Sequence, residues 1–424
     1  MEMNQNRLKK SILFSYAATA IPLAMLGLPL YIYLPTFYAQ NVGLSVTLVG
    51  LILFFSRLTD VVTDPLVGLY SDRFGTKYGK RKPFMLLGSI LLAISFYALI
   101  HPPEDHVEIW LLIFSMLIYL GWSIVSIPYL AWSAEMTSNY HEKTRLSAAR
   151  ELFTIIGVLA ALLIPYLYSV AESADKSLDI LYTAFLVALF FMLPFTLIGI
   201  KESSVKPSKH ISFRDIRILW EKIPSLSRLQ SAFTLNSLAN ALPATLFLFF
   251  VQLVLEEESK TGPLLLLYFA SGIVGLPFWT MLSKKIGKRK SWQTSMLLAS
   301  AAFIFVPFLG SGDFLWFALI TFVSGLSLGA DMALPSSIQA DVVQKIDNQK
   351  TSYSGILFGI WAMLTKFALA FAVGLGFVIL GVVGFEPEAP TPLALNTLAL
   401  LYGGAPVLFK MMAFWIMRGY RETV

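Results

Sequence analysis

Arg57-Leu58-Thr59-Asp60-Val61-Val62-Thr63-Asp64-Pro65 sets three ionisable side chains inside a run that is otherwise apolar from about position 45 to position 70. An unpaired charge at the centre of a membrane-spanning helix costs on the order of 3 kcal/mol or more, so charges retained there mark an ion or substrate site by default. Asp60 and Asp64 are four residues apart and share one helical face about one turn from each other, where both carboxylates can converge on a single cation. Thr63 adds a neighbouring hydroxyl. The plain alternative is a static network in which Arg57, one turn earlier, neutralises Asp60. Oxygen donors of this kind suit sodium, and two carboxylates in a poorly hydrated site can equally hold a proton.

The rest of the chain explains why such a run exists. Of 424 residues, 56% are hydrophobic and only 14% charged, which places the chain in lipid rather than in water. Twelve apolar segments of spanning length follow one another, at 12–38, 45–70, 84–101, 108–133, 146–169, 178–200, 230–254, 263–283, 292–309, 314–342, 354–383 and 395–417. An even number puts both termini on one side. Lys and Arg identify it as cytoplasmic, because 26 of the 32 lie in the N-terminus, the C-terminus and the loops 71–83, 134–145, 201–228, 284–291 and 343–353. Basic residues are retained on that face during insertion. The opposite loops hold Lys176 and Lys260, and are acidic at Glu104-Asp105, Glu256-Glu257-Glu258 and Glu386. The net charge of +6 is therefore topological, dispersed over connecting loops, and does not indicate nucleic acid. The first apolar run exceeds a signal-peptide core and reads as a retained helix. With no cysteine there is no thiol chemistry, and His101, His106, His141 and His210 fall in loops or at helix ends.

The longest polar connection, 201–228, divides the chain into residues 1–200 and 229–424, with a short amphipathic segment, Phe213 to Trp220, expected on the inner surface. Lys77-Tyr78-Gly79-Lys80-Arg81-Lys82 recurs as Lys285-Ile286-Gly287-Lys288-Arg289-Lys290, 208 residues later and at the same place in its half. The expectation is an all-α membrane protein of twelve helices in two pseudo-symmetric six-helix bundles, a plan used by transporters that bind substrate near the midplane.

Asp60-x-x-x-Asp64-Pro65-x-x-Gly68, with Ser71-Asp72-Arg73 and Tyr78-Gly79-Lys80-Arg81-Lys82-Pro83, resembles the glycoside-pentoside-hexuronide:cation symporters, the melibiose-permease-like branch of the major facilitator superfamily. Weaker matches at Gly43-Leu44-Ser45, Ile127-Pro128-Tyr129, Arg145 to Arg150, Ala340-Asp341-Val342-Val343 and Lys366-Phe367 extend the resemblance over the whole chain. It implies the major facilitator fold, transport rather than enzymatic activity, and a coupling cation at Asp60 and Asp64. It also implies a cavity-facing role for Arg150 and a place for Lys366 near the cation and substrate. The position matching Asp60 in the second half is Tyr268, so cation binding is expected in the first half alone.

Lys366 lies deep in its span and requires an anionic or carbonyl partner, either the Asp pair, the substrate or a fixed bridge. Asp331, beside Gly329 and Pro335, can gate, bind substrate or pair with Lys366, while Asn236 and Asn240 present two amides on one face. Counting from Gly43 and Pro128 puts Ala24, Ser126 and Leu130 where melibiose-type binders carry two acids and a stacking aromatic. A simple galactoside would lose its hydroxyl acceptors there. Apolar replacements beside a retained cation site suit an amphiphile with an anionic or zwitterionic head, and Tyr31, Tyr33, Phe37, Tyr38, Trp122 and Trp361 are available to line a cavity. Asp72, Arg73, Gly79, Lys80, Arg81 and Lys82 are expected to form a cytoplasmic gate.

The resulting expectation is a monomeric, bacterial inner-membrane symporter with a sodium ion or proton as its only accessory species. It would move a small organic solute other than a simple galactoside. A flippase for a lysolipid-like amphiphile and a transport-dead receptor are the alternatives.

Overall fold

The computed structural model describes residues 7–27, 29–74, 76, 79–168, 170, 173–202, 213–346, 353–385 and 390–420. Lys77 and Tyr78 of the first basic repeat, His210 and Glu386 lie outside the described residues.

Among the described residues twelve long helices follow in order: α1 Lys10–Gln40, α2 Val46–Arg73, α3 Lys82–Ile100, α4 Val107–Met136, α5 Tyr140–Leu167, α6 Ala174–Gly199, α7 Pro224–Val254, α8 Glu258–Ile286, α9 Lys288–Phe308, α10 Phe314–Ile346, α11 Ser354–Val382 and α12 Pro392–Arg418. Eleven are apolar along at least one membrane-spanning window. The remaining one is α2, whose 28 residues carry the charged run. At 1.5 Å per residue it is about 42 Å long, enough to cross a bilayer. The expected segment Phe213 to Trp220 is helical, within Phe213–Lys222.

The helices outrun the apolar segments where polar chemistry caps them. α5 begins at Tyr140 because Asn139 Oδ1 accepts hydrogen bonds from the backbone N–H of His141 (2.9 Å) and Glu142 (3.2 Å). α2 starts at Val46 with the Ser45 hydroxyl accepting from Leu48 N. The N-terminus of α3 is met by the Glu202 carboxylate, which accepts from the backbone N–H of Lys80 and Arg81 at 2.6 Å each. A carboxylate is favoured there by the helix dipole.

The chain forms two compact units. The first comprises Met1–Ile211 with Val343–Met363, so the last turn of α10 and the start of α11 belong to it. Its core is aromatic and aliphatic, with Tyr16, Leu92, Phe96, Leu111, Ile118 and Phe185 fully buried. The second comprises Ser212–Val342 with Leu364–Val424, and its core stacks Phe250 on Tyr402 at 4.4 Å between ring centroids. Outward-facing Phe190, Ile198, Phe308 and Leu315 are exposed, as helices immersed in hydrocarbon require.

Candidate functional site

The charged run of α2 divides its side chains between two environments in the first unit. Asp60 and Asp64 are buried, Asp64 completely. The Ser123 hydroxyl on α4 donates to Asp64 Oδ1 at 2.5 Å. Pro65 lacks the N–H that would bond the Val61 carbonyl, so one backbone oxygen beside the two carboxylates loses its helical donor. Thr63 is half-buried, and its hydroxyl lies 3.5 Å from the Asp60 carbonyl. The arrangement is a cluster of oxygen atoms in a dry setting, which is what a hard monovalent cation or a shared proton needs.

Backbone packing places this cluster against α11. A Cβ added at Gly359 would sit 2.6 Å from the Asp64 carbonyl oxygen and 3.1 Å from Pro65 Cα. One turn earlier, Gly355 meets Gly68 just as closely. Only glycine permits this approach.

Arg57 does not neutralise Asp60 by a contact. Its Nε donates to the Tyr119 hydroxyl at 3.2 Å, and its guanidinium carbon stands 4.2 Å from the Tyr31 ring centroid and 5.9 Å from that of Tyr119. Asp60 reaches it only through the electric field.

A second buried network occupies the second unit, on α7, α9, α10 and α12. Lys410 Nζ donates to Asp331 Oδ2 (2.7 Å) and to Asn236 Oδ1 (2.9 Å). Asn240 Nδ2 donates to the same Asp331 oxygen (3.0 Å), and Trp292 Nε1 donates to Asp331 Oδ1 (2.9 Å). Asp331 therefore pairs with Lys410 and not with Lys366. The reason is geometric, because α12 carries its lysine into the polar side of α7 and α10. In the sequence Lys410 is a basic residue within its apolar span with no role assigned to it, and Trp292, at the edge of its span, gave no signal of a polar contact.

Arg150 is buried and paired with the adjacent Glu151. Tyr16 and Tyr129, nearby in the first unit, exchange hydroxyl-to-carbonyl hydrogen bonds, at 3.2 Å from Tyr16 and 2.5 Å from Tyr129. Ser126 and Lys366 are half-buried, and Trp361 is buried.

At the C-terminal end of α2 the expected gate residues separate into roles. Arg81 is fully buried, and among the described residues its guanidinium makes five hydrogen bonds: to Ser71 Oγ (2.6 Å), Asp72 Oδ1 (2.7 Å), Ser354 Oγ (2.6 Å), and Glu135 Oε1 (2.5 Å) and Oε2 (3.2 Å). Burial alone would lower its pKa, but the Glu135 and Asp72 carboxylates outweigh that and hold the guanidinium above its ordinary value. Asp72 also accepts from the first free N–H groups of α11, Gly355 N at 2.8 Å and Ile356 N at 2.9 Å. Lys80 adds a 3.3 Å contact to Asp72. Gly79 supplies a turn at φ 118°, and Lys82 lies 5.9 Å from the Trp132 ring centroid. Arg73 is half-buried and joins none of these contacts among the described residues. Glu135, Ser71, Ser354 and Glu202 were not foreseen. The second basic repeat follows the same logic in its own unit, with Lys288 Nζ 2.5 Å from Asp341 Oδ2 at the end of α10.

The family model described as MFS/sugar transport protein matches residues 15–422. The chain belongs to this family. Its members include melibiose-like symporters, in agreement with the resemblance carried by the α2 motif. The chain is similar to the sodium-dependent lysophosphatidylcholine symporter 1-A of Danio rerio, with 23% identity covering 96% of this chain and 84% of that one. It is also similar to the uncharacterized symporter YnaJ of Bacillus subtilis, with 26% identity covering 90% and 85%. Among solved structures, a bacterial homologue of the iron transporter ferroportin superposes with a TM-score of 0.74 at 13% identity, over 97% of this chain and 99% of that one, which shows the shared fold. This member of the MFS/sugar transport family is thus a multi-pass membrane transporter, a cation-coupled symporter and not an enzyme.

Proposed function

We propose that the coupling ion is sodium and that Asp60 and Asp64 bind it, with the hydroxyls of Thr63 and Ser123 close by. The observation that carries this reading is the burial of both carboxylates on one face of α2, with the Ser123 hydroxyl on Asp64. A carboxylate pair held this dry gains most from a bound cation, and the donors are all oxygen. The sodium dependence of the Danio rerio relative supports the choice of ion.

The solute is a small organic molecule other than a simple galactoside, since Ala24, Ser126 and Leu130 offer no carboxylate and no stacking ring. A lysolipid is the second reading, favoured by the lysophosphatidylcholine relative. Lys366 is half-buried within the apolar helix α11, where an ammonium requires an anionic or carbonyl partner. That placement supports a role in coupling. Asn236, Asn240 and Asp331 serve the internal network with Lys410 rather than the solute, and Arg150 with Glu151 forms a charge pair in the first unit.

The Arg81–Asp72–Glu135 cluster acts as a cytoplasmic latch. Asp72 holds the N-terminus of α11, and alternation of access requires that hold to break. Both termini lie in the cytoplasm, and the protein functions as a monomer in the inner membrane. Proteoliposome assays test the reading. Accumulation of labelled methyl galactoside, glucuronide or lysophosphatidylcholine is compared under an inward sodium gradient and under a pH gradient. Sodium-driven accumulation of a non-galactoside is expected, and accumulation driven only by the pH gradient would replace sodium with a proton.

A further inference from the structure

Three arginines of the first unit, Arg57, Arg81 and Arg150, are partnered very differently. Arg81 spends its donors on Ser71, Asp72, Glu135 and Ser354, and Arg150 is paired with Glu151. Arg57 has one hydrogen bond, from Nε to Tyr119. Among the described residues its two terminal nitrogens donate to no side chain or carbonyl, and it forms no ion pair. A guanidinium has five donors in a planar fork shaped for carboxylate or phosphate.

The surroundings hold that fork in position without satisfying it. Tyr119 is buried and fixes Nε, while Tyr31 is 46% exposed and covers one face of the guanidinium at 4.2 Å. Tyr31 belongs to the π-helical turn Pro29–Tyr33 inside α1. Such turns insert an extra residue and are frequent at functional sites. Arg57 itself is only half-buried. The result is a preorganised cation whose open edge is its hydrogen-bonding edge.

We infer that Arg57, clamped by Tyr31 and Tyr119, selects solutes bearing an anionic oxygen group, carboxylate or phosphate, and links their binding to the cation at Asp60 and Asp64. The linkage rests on the proposed cation site. With that site empty, the Asp60 carboxylate one turn away offsets the positive potential of Arg57. A bound cation cancels the Asp60 charge and releases that potential toward the anionic group. Each ligand then raises the affinity for the other by the same factor.

The test uses the full chain in nanodiscs and two matched probe pairs that differ in the anionic group. One is para-nitrophenyl glucuronide against para-nitrophenyl glucoside, and the other is lysophosphatidic acid against the monoacylglycerol of the same chain length. Affinities are measured calorimetrically with and without sodium. The wild type is expected to prefer one anionic member by roughly tenfold or more, and the pair showing the preference identifies the source of the group. Arg57→Gln is expected to remove the preference, so that the anionic and uncharged members bind with similar affinity. Arg57→Lys should keep part of it.

Tyr119→Phe keeps the charge, frees Nε and is expected to weaken the preference several-fold, so the idea remains open to refutation if Arg57→Gln does not fold. Absence of preference in the wild type, or an unaltered preference in Arg57→Gln and Tyr119→Phe, overturns the assignment. A preference that depends on Arg57 but ignores both sodium and Asp64→Asn sustains the anion site and overturns the linkage, together with the cation reading on which it rests.

Discussion

Replacing Lys410 by Met deletes the cation that pairs with Asp331 and leaves a carboxylate in a buried position. Two hydrogen bonds vanish, at 2.7 Å to Asp331 and 2.9 Å to Asn236. Bonds to charged groups are worth about 1.5–3 kcal/mol, and breaking a buried pair from one side costs about 3–5 kcal/mol. Asp331 keeps Trp292 and Asn240 as donors, so the expected loss is about 3 kcal/mol, at the lower end of that range. Asp331→Asn strands Lys410 instead and should cost a similar amount. In the double variant neither charge of the pair remains, and the single amide oxygen introduced by Asp331→Asn can still accept from Trp292, one of the two remaining donors. Its loss should match either single variant rather than their sum, a coupling of about 3 kcal/mol. Equilibrium unfolding in mixed SDS and dodecyl maltoside micelles, followed by far-ultraviolet circular dichroism, gives the cycle. Additive losses would show that the pair is not a unit and would refute the reasoning. Sodium-coupled transport should survive in the double variant, because the network is read as structural.

Ser123→Ala removes the donor to Asp64 Oδ1 and should weaken sodium binding about tenfold, the value of one charge-assisted hydrogen bond near ~1.4 kcal/mol; sodium titration of ligand binding measures it. Gly359→Val drives a branched side chain into the Asp64 carbonyl and should separate α11 from α2, lowering both sodium affinity and thermal stability by scanning fluorimetry. Asp72→Asn keeps the shape of the latch but removes its charge from the α11 N-terminus and from the buried Arg81, at a cost of about 3 kcal/mol or more. Cysteine pairs placed across the latch in this naturally cysteine-free chain should then crosslink less and label faster, and unchanged labelling would count against the latch.

What the sequence made legible was the part governed by local chemistry. Apolar run length located all twelve helices, because a span without water must satisfy its own backbone. The four-residue spacing of Asp60 and Asp64 put them on one face before any coordinates. Helix ends were less visible, since Asn139 and Glu202 extend or cap helices through hydrogen bonds that hydropathy does not register. Partners across the fold were not legible. Ser123 reaches Asp64 from another helix, and Lys410 meets Asp331 across 79 positions of chain. Arg57 was read against its nearest acid in sequence, yet two tyrosines from α1 and α4 hold it. Pairwise contacts of this kind depend on helix packing, and one sequence carries no record of which helices touch.

Direct sodium binding is the most immediate measurement of the central claim. Isothermal titration of the purified wild type, Asp60→Asn and Asp64→Asn with sodium chloride, against choline chloride as the control, reports on the site without any solute. Saturable sodium heat in the wild type that is lost in both variants is the predicted result. Sodium binding retained in both variants, or absent from the wild type, would contradict the assignment of the α2 carboxylates as the coupling site.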